Sequence, residues 1–221
     1  MQKIITVVLL MLCAPVYGQV RFSFCTDVMV IRNLDKAHES WAIGQTVQAN
    51  FHFNPRQAAY AWLSYSLPGR FENSFAAEAV SPSVNPQVLP YEVRGRMSYN
   101  IYSLGLKQYL KGSYDAETGW NLYATGGFGL LAGKIANTLS TAIDTALYKA
   151  GIPVEGEGKF KRLTLDLGLG LEFPVASGFY IYSDLRTPLL LTDYPSPFLH
   201  RRQQAPQPLM VSGGLRILFD Y

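Results

Sequence analysis

His38-Glu39-Ser40 is the triplet in this chain with the clearest chemical potential. An imidazole and a hydroxyl two residues apart can serve as base and nucleophile in acyl transfer, provided a carboxylate orients the imidazole. No third member can be identified from the sequence, and a short connection between two strands commonly carries such residues. His52 stands between Phe51 and Phe53 and is expected to point inward as a hydrogen-bonded side chain, while His200 is solitary. Three histidines and two cysteines, all scattered, give no metal-ligand spacing. The expected site inventory is therefore empty: no catalytic residue, no metal ligand, no cofactor.

Charged residues offer a second kind of chemistry. Arg21, Asp27, Lys107, Asp166, Glu172, Asp184, Arg186, Arg216 and Asp220 all fall on the polar side of alternating segments. Such a set can line a channel, hold an ion, or fill a closed lumen with mutually paired charges. Gly127, Gly129, Gly168 and Gly170 alternate within strands and no helix follows them, so they are not a phosphate loop. They are expected to leave room for Tyr180, Tyr182 and Arg186 to cross an interior. The clusters 159–162 and 200–202 fall in or beside expected loops and read as solvated surface. A net charge of +3 is too weak to argue for nucleic acid.

The elements that must position these groups follow from period-two alternation. In 163–173 every odd position is Leu or Phe and every even one is polar, charged or Gly. A helix would scatter those leucines around its circumference. The same pattern recurs around Val20–Val30, Trp41–Phe53, Tyr102–Leu110, Trp120–Leu130, Phe179–Leu185 and Leu209–Tyr221. In 58–67 the facing is ambiguous, with Tyr60 and Trp62 on one side and Leu63, Tyr65 and Leu67 on the other. Eight segments result, each long enough for a tilted membrane-crossing strand of ~9–11 residues. Connections 54–57, 112–119 and 174–178 are short, 68–94, 133–158 and 190–208 are long, and 34–40 is intermediate. Short and long alternate, as tight inner turns and longer external loops do. Loop 68–94, with four prolines, is expected to be irregular, and 137–150 has helical spacing that suggests a short helix. If Phe173 sits opposite Phe179, Asp166 lies opposite Arg186.

Hydrophobic residues make up 48% of the chain and charged residues only 16%. After the N-terminus no apolar run reaches the ~18 residues of a spanning helix, so this apolar content suits strands facing lipid. Lys3, the apolar run 4–12 and Val16-Tyr17-Gly18 read as a cleaved secretory signal over 1–18, with 19–221 as one barrel domain. Cys13 leaves with the signal, and Cys25 alone cannot form an internal disulfide.

The terminal segment Gly213-Gly214-Leu215-Arg216-Ile217-Leu218-Phe219-Asp220-Tyr221 alternates and ends in an aromatic. It resembles the closing strand by which outer-membrane barrels are recognised for assembly. Nearly the whole chain resembles the small outer-membrane β-barrel domains, the OmpA/OmpX-like group, and the Gln19 start is similar to that of Bacteroidota examples. The resemblance implies an all-β, eight-stranded antiparallel transmembrane barrel in the bacterial outer membrane of a Gram-negative cell. Its partners would be outer-membrane lipid, the barrel assembly machinery through the C-terminal strand, and an envelope protein met through external loops. With eight strands the interior is just wide enough for its own side chains, so a filled lumen is expected. Aromatics at 51, 53, 120, 173, 179, 219 and 221 would form an interfacial girdle at the periplasmic end. A non-enzymatic barrel with interacting external loops leads, with an accessory role in an envelope complex as one form of it. A narrow pore and a lipid A-modifying hydrolase are the alternatives.

Overall fold

A computed structural model describes residues 21–149, 153–200 and 205–219. The expected signal segment 1–18, Asp220 and Tyr221 lie outside these residues. Ten strands form one antiparallel sheet: β1 (Arg21–Asn33), β2 (Trp41–Asn54), β3 (Gln57–Ser66), β4 (Gly69–Ala79), β5 (Val88–Lys111), β6 (Asn121–Leu139), β7 (Tyr148–Lys149), β8 (Gly156–Ala176), β9 (Phe179–Leu190) and β10 (Pro208–Phe219). Eight of them close a ring, in the order β1, β2, β3, β5, β6, β8, β9, β10 and back to β1. Closure pairs every strand on both sides and leaves no edge in the membrane.

The alternation sorts side chains between two environments as expected. Leu163, Leu167, Leu169, Leu171 and Phe173 are exposed on the outside, while Thr164, Asp166 and Glu172 are buried inside. The facing of β3 is now plain: Tyr60 and Trp62 point inward, Leu63 and Tyr65 outward. Outward polar interruptions satisfy one another across strands. Tyr65 donates to Gln45 at 3.0 Å, and Gln57 donates to Gln108 at 2.8 Å. At the end of the short turns Phe22 lies between Phe51 (5.3 Å between ring centroids) and Phe219 (5.7 Å), an aromatic belt across the closing strands.

Three expectations are corrected. Segment 68–94 is not irregular: β4 and the first part of β5 form a hairpin, with Phe71, Ala77, Tyr91 and Val93 buried. Pro68 separates β3 from β4, and Pro90 pairs with Ala76 beyond the reach of β6, an edge position where a missing N–H costs no ladder bond. No helix forms over the described part of 137–150. Asn137–Leu139 prolong β6, and β7 adds to the free edge of β4. A single short helix is marginal unless packed, whereas a sheet edge offers ready backbone partners. Finally, the β8–β9 register differs. β8 runs past Pro174 to Ala176, Gly178 takes the positive φ (73°) of a tight turn, and a bulge falls between Pro174 and Ala176. Phe173 therefore opposes Ile181, and Asp166 opposes Pro188 instead of Arg186. The displacement is two residues, an even number, so every face is preserved.

Candidate functional site

Strand alternation brings nearly all the expected inward charges into the barrel interior, where they form two layers. In the inner layer Glu172 of β8 accepts from Arg216 of β10 through Nε (2.8 Å) and a terminal nitrogen (2.7 Å). Lys107 of β5 approaches the same carboxylate at 3.5 Å, and Asn121 donates to it at 3.1 Å. Tyrosine rings pack over the cations, Tyr180 at 3.7 Å from Arg216 and Tyr123 at 3.5 Å from Lys107. His52 faces inward, as expected, and meets Ser23 Oγ at 2.8 Å. Arg21 sits at the rim of this layer, 3.5 Å from Asp115.

One layer outward, Arg186 of β9 pairs with Asp184 and donates to Gln48 of β2 at 2.7 Å. Tyr123 also donates to Asp184, at 2.5 Å, and Tyr182 donates to Asp27 at 2.7 Å. The glycines do make room here, though mostly for other residues than expected. A Cβ on Gly168 would meet Arg186, as expected, but one on Gly170 would meet Tyr123 and Asp184, and one on Gly127 would meet the Tyr60 hydroxyl. Neither Tyr180 nor Tyr182 is among the nearest neighbours at these glycines.

Above both layers the filling is mainly apolar, with Asn33, Ser66 and Arg162 buried among it. Met29, Ile31, Met97, Ile101, Leu131, Ile135 and Phe160 form one buried cluster with Leu199 and Ala205 from the β9–β10 connection. A hydrophobic stopper thus covers the charged layers on the side of the long loops. Sequence reasoning missed it, and also missed Arg162, which is buried and donates to Tyr194 O at 2.5 Å. The cluster 159–162 is strand, not loop: Lys159 and Lys161 face outward and Arg162 inward. Extending the alternation of 163–173 back by four residues would have shown this. Residues 201 and 202 of the other basic cluster lie outside the described residues.

The triplet 38–40 does not assemble as base and nucleophile. His38 is the last residue of a 3-10 turn (Lys36–His38) that Asp35 caps at its start, with Nδ1 at 3.0 Å from Asp35 and Nε2 accepting from the His200 backbone N–H at 3.3 Å. Ser40 Oγ instead donates to the His38 carbonyl (3.1 Å) and accepts from Asn33 (2.8 Å). Burial pushes the His38 imidazole below its ordinary pKa, with Asp35 opposing the shift. Both ring nitrogens are engaged in holding the external rim together.

A third feature is external. β5, β6 and β8 contain 24, 19 and 21 residues, against 12 to 14 in β1, β2, β9 and β10. Together with β4 they rise beyond the rim on one flank. This extension has its own small core of Ala77, Tyr91, Val93 and Tyr148. Its solvent face carries ion pairs such as Glu72–Arg94 (2.9 Å), which holds the Glu72 carboxyl below its usual range.

No protein-family model matches the chain, and no curated protein matches it. Among solved structures it is similar to the attachment invasion locus protein Ail of Yersinia pestis in complex with the heparin analogue sucrose octasulfate. That likeness has a TM-score of 0.51 at 13% identity and covers 91% of this chain and 100% of that one. It is also similar to a major outer membrane protein from Thermus thermophilus, with a TM-score of 0.51 at 10% identity, covering 90% of this chain and 99% of that one. At these identities the likeness speaks for the fold.

Proposed function

Starting from the fold of a small OmpA/OmpX-like outer-membrane β-barrel, we propose that this is a non-enzymatic integral barrel of the bacterial outer membrane whose work is done outside the lumen. Its external extension and loops engage an envelope partner or shape the cell surface, and an accessory role in a larger envelope complex fits such a part. Its C-terminal strand presents the assembly signal to the barrel assembly machinery.

The observation that carries this reading is the filled interior. Two layers of paired charges lie beneath an apolar stopper that the β9–β10 connection completes with Leu199 and Ala205. An eight-stranded ring is just wide enough for side chains, and such a filling speaks against a continuous aqueous path. Meanwhile the outer extension is built at considerable length and has its own core, which a simple closed plug does not require. The membrane position is supported by the outward Leu and Phe faces and the aromatic belt around Phe22.

The test is reconstitution of the full mature protein in planar bilayers, with its native membrane extract used for co-purification. No stepwise conductance, together with an envelope protein that co-purifies and is lost when the tip 80–87 is replaced by Gly-Ser, supports the reading. Regular single-channel steps would favour a narrow pore instead. Altered lipid A mass on expression, abolished by Ser40→Ala, would favour a hydrolase.

A further inference from the structure

On the outer face of β4, β5, β6 and β8, cations gather directly above the lipid-facing band. The register fixes their arrangement. Tyr102, Leu130 and Leu163 are cross-strand neighbours in the last apolar row. The next row outward is Asn100, Ala132 and Lys161, and the one after is Ser98, Lys134 and Lys159. Beyond it Arg70 directly opposes Arg96. Lys134 therefore has Lys159 directly opposite, with Lys161 and Arg96 on its diagonals. All of these cationic side chains are exposed.

Like charges directly opposed across strands destabilise a sheet, and two such pairs stand side by side here. The protein's own anions offset them only in part. Glu157 binds Lys134 at 2.8 Å and also faces Lys159, while Glu72 and Glu92 are both engaged by Arg94. Among the described residues no carboxylate pairs with Arg70, Arg96 or Lys161. On the opposite flank, among the described residues of β1, β2, β9 and β10, no two cations are directly opposed across strands. There Arg32 is paired with Glu39 at 2.7 Å and lies over the Trp41 ring.

Immediately below the basic ledge an apolar groove of about 650 Å³ begins on β5, β6 and β8 with Tyr102, Leu104, Phe128, Leu130 and Leu163 and runs onto β3 and β2 with Leu63 and Val47. A ledge of cations and an apolar groove in register, the first polar rows above the hydrocarbon, match one kind of molecule. It has negative oxygens at headgroup depth and acyl chains beneath them. Guanidinium and ammonium groups both bind phosphate, the former through paired N–H donors. We propose that this flank binds a phosphorylated glycolipid of the outer leaflet, its phosphates among Arg96, Lys134, Lys159 and Lys161 and an acyl chain along the groove. The proposal rests on the outer-membrane reading above.

Its test uses the full mature protein in detergent micelles, titrated with diphosphoryl lipid A, with the same lipid after dephosphorylation, and with inorganic pyrophosphate. Bound species are counted by native mass spectrometry. Diphosphoryl lipid A should bind more tightly than either comparison. The triple variant Arg96→Gln, Lys159→Gln, Lys161→Gln should weaken it by roughly tenfold or more, whereas Lys36→Gln with Arg56→Gln should not. Ala61→Trp, which fills the groove, should weaken the lipid and leave pyrophosphate unchanged. Equal binding of phosphorylated and dephosphorylated lipid, an equal loss in the control variant, or pyrophosphate binding as tight as lipid A would each overturn the proposal. Heat-dependent gel mobility, measured on every sample, keeps the two readings apart. A wild type without that shift, extracted by carbonate, would overturn the barrel reading itself. A normal shift with no lipid preference would overturn only the ledge.

Discussion

Arg216 and Glu172 face each other inside the barrel as a two-pronged pair, Nε to Oε2 at 2.8 Å and a terminal nitrogen to Oε1 at 2.7 Å. They belong to strands that do not touch: β9 lies between β8 and β10. The pair thus ties together alternate strands across the lumen, and Lys107 brings in β5 from the far side.

Removing Glu172 takes the shared carboxylate from two buried cations, Arg216 and Lys107. Glu172→Ala should destabilise the barrel strongly, toward the ~3–5 kcal/mol seen for broken buried pairs. Glu172→Ala with Arg216→Met should lose less than the sum of the single changes. Urea titration of the folded band in cold SDS gels reads both. Additive losses would show that the two side chains are not coupled.

Arg186 provides a test of register. Its partners are Asp184 on its own strand and Gln48, with Gly168 directly opposite. Alanine changes at 184 and 186 should therefore show a larger coupling energy than changes at 166 and 186. The reverse order would restore the Phe173–Phe179 pairing and remove the bulge.

Two adjacent glycines on β10 should respond oppositely. A Cβ on Gly214 would lie 2.2 Å from the Thr26 carbonyl oxygen and 2.5 Å from Asp27 Cβ, in the seam that closes the ring. On Gly213 the nearest atom is 3.9 Å away. Gly214→Val should prevent accumulation of folded protein in the outer membrane, while Gly213→Ala should be tolerated. Equal levels of the two variants would argue that β1 and β10 close elsewhere.

The external rim should be acid-sensitive. Burial holds the His38 pKa below its unfolded value of 6.5, so the folded state disfavours the proton. The sign follows: the rim is fully stable above about pH 6.5 and loses stability as pH falls from there through the lower, folded pKa. Normalised for the intrinsic exchange rate, the protection of amides in 33–40 should fall on acidification, together with that of Asn73, whose side chain donates to the Ala37 carbonyl. His38→Gln should flatten the pH response. A protection factor that does not change with pH in the wild type would sink the assignment.

Much of this fold is legible in the sequence because a membrane barrel imposes one simple rule on every strand. Leu163 to Phe173 can hardly be read otherwise, and parity alone places Asp27, Lys107, Glu172 and Arg216 inward. Parity survives a bulge that displaces register by two, which is why sequence reasoning faces Asp166 and Arg186 correctly yet pairs them wrongly. The extension is harder to see. Its apolar residues, Phe71, Ala77, Tyr91 and Val93, are interrupted by Pro and Gly that usually announce loops, and its value lies in pairing with a distant segment. The basic ledge is hidden for another reason. Lys159 and Lys161 look like loop charges until β8 is known to continue beneath them.

The unequal strand lengths have a geometric corollary. A barrel of even height presents the same outline whichever way it turns about the membrane normal. Here the long strands β5, β6 and β8 stand together, so the protein has a tall side and a low side, like a chair with its back. Anything held against the tall side sets the compass bearing of the whole barrel, and with it which neighbours its low side meets in a crowded membrane.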